Sequence, residues 1–172
     1  MNAAGAETMQ NKRLSTAKEM AQFSLEQLRE TIWALKSETI HFKEYTSRVE
    51  QLCNRLLMNT EIALDFNVEL HSNPVITPIQ HIQLQRIIEE AITNAIKYSK
   101  SNRLKISIES KKQSWTISIQ DFGVGFDIHQ RQQSTQYGLK HISERAKLIQ
   151  SELEIQSKSD SGTSIILKIP IL

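Results

Sequence analysis

Two neighbouring stretches, LKISIES (104–110) and SWTISIQ (114–120), alternate apolar and polar residues along their whole length. Side chains of an extended chain point to opposite faces in turn, so each stretch reads as a strand with one buried face. Only a few polar residues separate them, which predicts an antiparallel hairpin. The flanking segments set the fold class. Ile79 to Lys100 reads as a helix, with Ile82, Leu84, Ile87, Ile88, Ala91, Ile92, Ala95 and Ile96 forming a broad apolar face. GLKHISERAKLIQ (138–150) is amphipathic, with Leu139, Ile142, Ala146 and Ile149 on one side. A further helical pattern covers Phe42 to Thr60 through Val49, Leu52, Leu56 and Leu57. EIALDFNVEL alternates loosely, as a strand does, and Pro74 and Pro78 punctuate the loop after it. The C-terminal ELEIQSKSDSGTSIILKIPIL reads as a second hairpin turning near Asp160 to Gly162. This mixture predicts an α+β two-layer sandwich.

The front of the chain differs. From Lys12 to Ser37 there is neither Gly nor Pro, and Leu25, Leu28, Ile32 and Leu35 recur at three- and four-residue steps. Leu14, Ala17 and Ala21 extend this narrow stripe. Such a helix packs on another helix, often from a second copy, or else lies on its own domain. The composition shift places a boundary near residue 40. The expected division is a frayed leader or expression remnant over 1–12, a long helix over 13–40 and an α/β body over 41–172. A net charge of +2, with the basic residues spread out, argues against nucleic acid as a partner. Cys53 is alone, which excludes an internal disulfide and a cysteine zinc site and suits a reducing, cytoplasmic setting. No apolar run approaches the roughly 18 residues that cross a bilayer, so an anchor, if there is one, lies outside this sequence.

Chemistry gathers in four places. DFGVGFD (121–127) follows the second strand of the first hairpin. It is a tight turn, in which Gly123 and Gly125 supply positive φ, or the floor of a nucleotide pocket. The magnesium-binding Asp-Phe-Gly of eukaryotic-type protein kinases is excluded by context. The strand lysine, the His-Arg-Asp loop and the glycine-rich phosphate loop are all absent. In EEAITNAIKYSKS (89–101), Glu90 and Asn94 stand four apart on one helical face, and Lys97 shares it at three further. That face is either ordinary solvated surface or a site for magnesium triphosphate. In the second case the Asn oxygen is a hard ligand, the ammonium offsets phosphate charge, and the carboxylate accepts a proton. Gly138 of YGLKHISER sits where a polar loop meets a helix start, a place that binds phosphate readily. Gly162 and Thr163 of SGTSIILKIP stand at a strand entrance.

Taken in order, these four segments resemble the ATP-binding catalytic domain of sensor histidine kinases, the Bergerat-fold ATPase superfamily. EEAITNAIKYSKS is similar to the N box, DFGVGFD to the first glycine box, GLKHISERAKLI to the second, and SGTSIILKIP to the terminal Gly-Thr element. The resemblance runs from about residue 62 to the end. STAKEMAQFSLEQLRETIWALKSE (15–38) resembles the second helix of a dimerisation and phosphotransfer hairpin, in the subgroup served by helix-turn-helix response regulators. The resemblance implies ATP and Mg²⁺ as ligands, with Asp121 accepting from the adenine amino group. Gly123 would admit the base and an ordered water that Thr163 helps to hold, and Gly125 would complete the box. Asn94 would ligate Mg²⁺, Glu90 would be the catalytic base, and Lys97 and Tyr98 would face the phosphates. Amides near Gly138 and Leu139 would hold the β/γ end, under a lid running from Ile128 to Gln136. Tyr98 stands where the family often has His, and His141 where it often has Gly; His141 receives no role.

A histidine kinase also needs a phosphoacceptor histidine followed, in this subgroup, by an acidic residue. His41, His71, His81, His129 and His141 are followed by Phe, Ser, Ile, Gln and Ile. The chain is therefore expected to transfer the γ-phosphoryl of Mg·ATP to a histidine supplied elsewhere, on the acceptor helix of the same kinase or its dimer mate. The response regulator of the full-length kinase is the next partner, and a homodimer is a further expectation. Autophosphorylation of this chain alone is not expected. The rival readings are an anti-sigma-type serine kinase or another ATPase of the superfamily, and a non-catalytic dimerisation module that keeps the fold.

Overall fold

A computed structural model describes residues 39–127 and 133–171, together with Ala21, Ser24, Leu25, Leu28 and Ile32. The chain divides into two compact units, Met1–Glu38 and Thr39–Leu172. In the first, the five described residues are helical, and Leu25, Leu28 and Ile32 are each more than half exposed. The remainder of the expected long helix lies outside the described residues.

The second unit opens with the two-residue strand β1 (Ile40–His41), helix α1 (Phe42–Leu57), strand β2 (Ala63–Leu70) and the two-residue strand β3 (Val75–Ile76). Helix α2 (Pro78–Asn94) runs on into a π-helical turn, Ala95–Ser99. Strands β4 (Arg103–Ser110) and β5 (Ser114–Asp121), helix α3 (Gln133–Leu148), and strands β6 (Glu152–Ser157) and β7 (Thr163–Pro170) follow. Five strands form one sheet in the order β2-β4-β5-β7-β6, and β1 pairs with β3. All neighbours in the large sheet are antiparallel except β2 and β4, which are parallel and joined through α2.

The alternation that predicted the first hairpin also orients it. Leu104, Ile106, Ile108 and Ser110 of β4 face inward, opposite Asp121, Ile119, Ile117 and Trp115 of β5. Ile165, Leu167 and Ile169 of β7 continue this face. The apolar faces of α1, α2 and α3 close over it in one core, while Lys105, Ser107, Thr116, Ser118 and Gln120 stay half-exposed on the far side. A sheet buried on one face and wet on the other is the two-layer sandwich. Pro78 opens α2 rather than interrupting a loop. Thr77 caps the helix, its hydroxyl accepting from the Gln80 amide while the Gln80 side chain accepts from the Thr77 amide. This is a capping box, with proline at the first helical position, where its missing N–H costs nothing. Among the described residues, no helix is long and apolar enough to cross a membrane.

Candidate functional site

Asp121 belongs to the inward series Trp115, Ile117, Ile119, Asp121, so strand alternation alone drives its carboxylate into the core at the strand's end. It is 7% exposed. One oxygen accepts a hydrogen bond from the Gly123 amide at 2.9 Å. The cleft above it is walled by apolar Ala91, Ala95, Leu104, Phe126, Leu139 and Ile165, with Asn94, Tyr98 and Thr163 at its polar margins. Its free volume is about 50 Å³.

On α2, Glu90 and Asn94 share a face, as their spacing requires, and the Asn94 amide donates to Glu90 Oε1 at 3.2 Å. That bond turns the Asn94 carbonyl oxygen away from Glu90, leaving a hard oxygen donor of the kind Mg²⁺ takes. Lys97 does not line the cleft, although a regular helix would carry it onto the same face; Tyr98, 48% exposed, lines it instead. Ala91, Asn94, Ala95 and Tyr98 recur at three- and four-residue steps along the cleft, and the helix ends in a π-helical turn, Ala95–Ser99. The Ser99 hydroxyl bonds the Ala95 carbonyl at 2.7 Å, and Lys100 ends the turn with a φ of 57°.

The glycines of DFGVGFD act as a clasp. A Cβ on Gly123 would lie 1.9 Å from the Ser99 carbonyl oxygen, so this residue lets the π turn and the segment after β5 touch. The Val124 amide donates to that same carbonyl at 2.8 Å. Gly125, with a φ of 56°, rests against the Lys158 carbonyl. The Ser157 hydroxyl accepts from the Phe126 amide at 3.0 Å and lies 3.0 Å from both the Gly162 carbonyl and the Thr163 hydroxyl. The turn is thereby tied to the π turn on one side and to the β6–β7 hairpin on the other. Of the two glycines expected to supply positive φ, Gly125 does so and Gly123 does not; Gly123 serves close backbone approach instead. Sequence reasoning missed Ser99 and Ser157. Ser99 lies inside the quoted helix segment, while no local pattern marks Ser157.

Gly138 departs from expectation. Helix α3 begins at Gln133, so Gly138 lies in its second turn and not at its start. An amide there bonds within the helix, unlike the free amides of a first turn. The glycine instead allows close packing: a Cβ would lie 2.2 Å from Glu90 Oε1 and 3.3 Å from the Asn94 amide nitrogen. Of the expected lid, residues 128–132 lie outside the described residues, and 133–136 form the first turn of α3 and not a loop.

Over more than half the chain, residues 79–172, the sequence matches the histidine kinase-, DNA gyrase B- and HSP90-like ATPases, and the chain belongs to that family. Within it, the chain is similar to proteins named signal transduction histidine-protein kinase/phosphatase DegS. It is 27% identical to that of Brevibacillus brevis over 93% of this chain and 41% of the relative. With that of Bacillus subtilis the identity is 32%, over 56% of this chain and 26% of the relative. The chain thus spans less than half the length of these curated relatives. Two solved structures share the fold. Acinetobacter baumannii histidine kinase AdeS superposes with a TM-score of 0.64 at 20% identity, covering 93% of this chain and 83% of that one. The histidine kinase domain of the Erythrobacter litoralis blue-light activated histidine kinase gives 0.56 at 14% identity, covering 74% and 61%.

Proposed function

We propose that this chain carries the ATP-binding catalytic domain of a two-component sensor histidine kinase, and that it phosphorylates a histidine outside itself. The observation that carries this reading is the buried Asp121 carboxylate at the end of an apolar cleft, with Asn94 at the margin. A flat base with an exocyclic amino group suits such a slot: apolar walls accept its faces and one carboxylate oxygen accepts its proton. Thr163 adds a hydroxyl to the cleft lining. Gly123 and Gly125 hold the floor in place.

Asn94 is the residue that would hold magnesium, which would supply charge neutralisation at the phosphates. Glu90, kept beside Asn94 by their hydrogen bond, is the proposed base toward the attacking imidazole. Lys97 is exposed and long enough to move toward phosphate, and Tyr98 would add one hydrogen bond. Amides near Gly138 and Leu139 would take the terminal phosphates only after the first turns of α3 unwind. We further propose that 13–40 supplies the second helix of a dimerisation hairpin and that the regulator served is of the helix-turn-helix type. The resemblance of 15–38 to that helix supports both, as does the similarity of nearly the whole chain to a DegS kinase/phosphatase.

The test is thermal melting of the full chain with and without millimolar Mg·ATP. A ligand of the native state raises the midpoint by mass action. The expected result is a clear rise that Asp121→Asn abolishes; an undiminished rise in the variant removes Asp121 from the site. Mixing the chain with a histidine-bearing hairpin and γ-labelled ATP then separates the rivals. Label on the histidine supports the kinase reading. Label on a partner's serine supports a serine kinase, and binding with no transfer at all supports a module that only keeps the fold.

A further inference from the structure

A second cleft lies between α1 and the first half of α2. Its volume is about 230 Å³, and it shares no lining residue with the first. Tyr45, Arg48 and Arg55 of α1 face His81 and Gln85 of α2 across it, above Val49 and Leu52. Its lining contains two arginines and no carboxylate. Glu44 pairs with Arg48 at 2.6 Å and offsets that charge. Arg55 stands seven residues on, two helical turns along the same face of α1, and has no ion-pair partner among the described residues.

The third feature is Tyr45. Its side chain is wholly buried, and its hydroxyl has no hydrogen-bond partner among the described residues. The ring is fixed edge-on between Trp115 at 5.5 Å and His81 at 5.8 Å, so it cannot swing out to solvent. A buried donor without an acceptor carries the full cost of its desolvation. The position therefore calls for an oxygen that arrives with a ligand.

We propose that this cleft binds a small-molecule oxyanion, a carboxylate or a phosphate group. Arg55 is its principal partner, Arg48 stands beside it, and the Tyr45 hydroxyl is the neutral donor below. A guanidinium presents a planar fork of N–H donors that matches either group. The proposal is independent of the nucleotide reading, because neither cleft borrows a residue from the other.

The experiment uses the full chain carrying Asp121→Asn, ¹⁵N-labelled, so that loss of nucleotide binding in the first cleft does not enter the result. Inorganic phosphate and citrate are titrated separately at constant ionic strength. The expected result is saturable shifts of the amides around Tyr45, Arg55 and His81, with one probe binding more tightly and so naming the group. Adding Arg55→Gln, an exposed and structurally mild change, weakens that probe at least tenfold; Tyr45→Phe weakens it several-fold. Shifts that drift linearly with both probes, or saturation that Arg55→Gln leaves unchanged, overturn the proposal.

Discussion

At the scale of single residues, the sharpest constraint is the absence of a side chain at Gly123. A methyl group there meets backbone and not a flexible tip, so the Ser99 carbonyl or the turn itself must move. Gly123→Ala should cost about 1–3 kcal/mol, the usual range for overpacking. A denaturant midpoint that stays unchanged would show the clasp to be loose. His81 gives a second prediction. Burial, and secondarily the nearby Arg48 charge, hold its pKa below the ordinary 6.5. The unfolded state then binds the proton first as pH falls, so stability is full above 6.5 and declines below it until the folded-state value is reached. His81→Gln should remove that part of the pH slope, read as melting temperature across the range. Cys53 is wholly buried, and burial pushes its thiol up to about 12, so it has little thiolate character despite being the chain's single cysteine.

At the scale of elements, the decisive pairing is α3 against α2. Gln83, Glu90 and Asn94 fall on one stripe of α2, and α3 lies antiparallel along it, with Gly138 at Glu90 and Asn94 and Arg145 at Gln83. Arg145 is buried and donates to Gln83 Oε1 at 2.8 Å. This contact pins the far end of the helix whose near end packs on Glu90 and Asn94. Arg145→Met keeps the apolar stem but loses the charged hydrogen bond, a change worth about 2 kcal/mol. Amide exchange in α3 should accelerate more than exchange in β4 and β5; equal acceleration everywhere would mean the contact stabilises the whole fold and not this helix. The sequence placed α3 through its apolar stripe but started it at Gly138, because the polar run before it has no core pattern to reveal a helix. The sequence starts α2 one residue late, at Ile79, because Pro78 reads as loop punctuation and the capping box at Thr77 and Gln80 is missed.

At the scale of the molecule, Thr39–Leu172 is a compact unit by itself, and the buried core of the described residues runs within it from Ile40 to Ile169. A fragment spanning 39–172 should therefore fold alone and keep its response to Mg·ATP. Its melting temperature should lie within about 4 °C of the full chain's, the shift that about 1 kcal/mol produces in a domain of this size. A fragment that fails to melt cooperatively would show that the first unit completes the fold. The sheet order β2-β4-β5-β7-β6 also explains why four distant segments converge. The β4–β5 and β6–β7 hairpins are joined through β5 and β7, which sets Asp121 and Thr163 at the same end of adjacent strands.

The linear chain determined by itself the long strands of the sheet and the apolar faces of the helices, because apolar periodicity is a local property that burial has to obey. The structure extends the second strand of the first hairpin by one residue to Asp121, which puts that carboxylate on the inward face. The tertiary structure alone decided what each glycine touches, which of Lys97 and Tyr98 lines the cleft, and that Ser157 ties the turn together. Those outcomes depend on contacts between segments about 24 to 48 residues apart, which leave no periodic trace along the sequence.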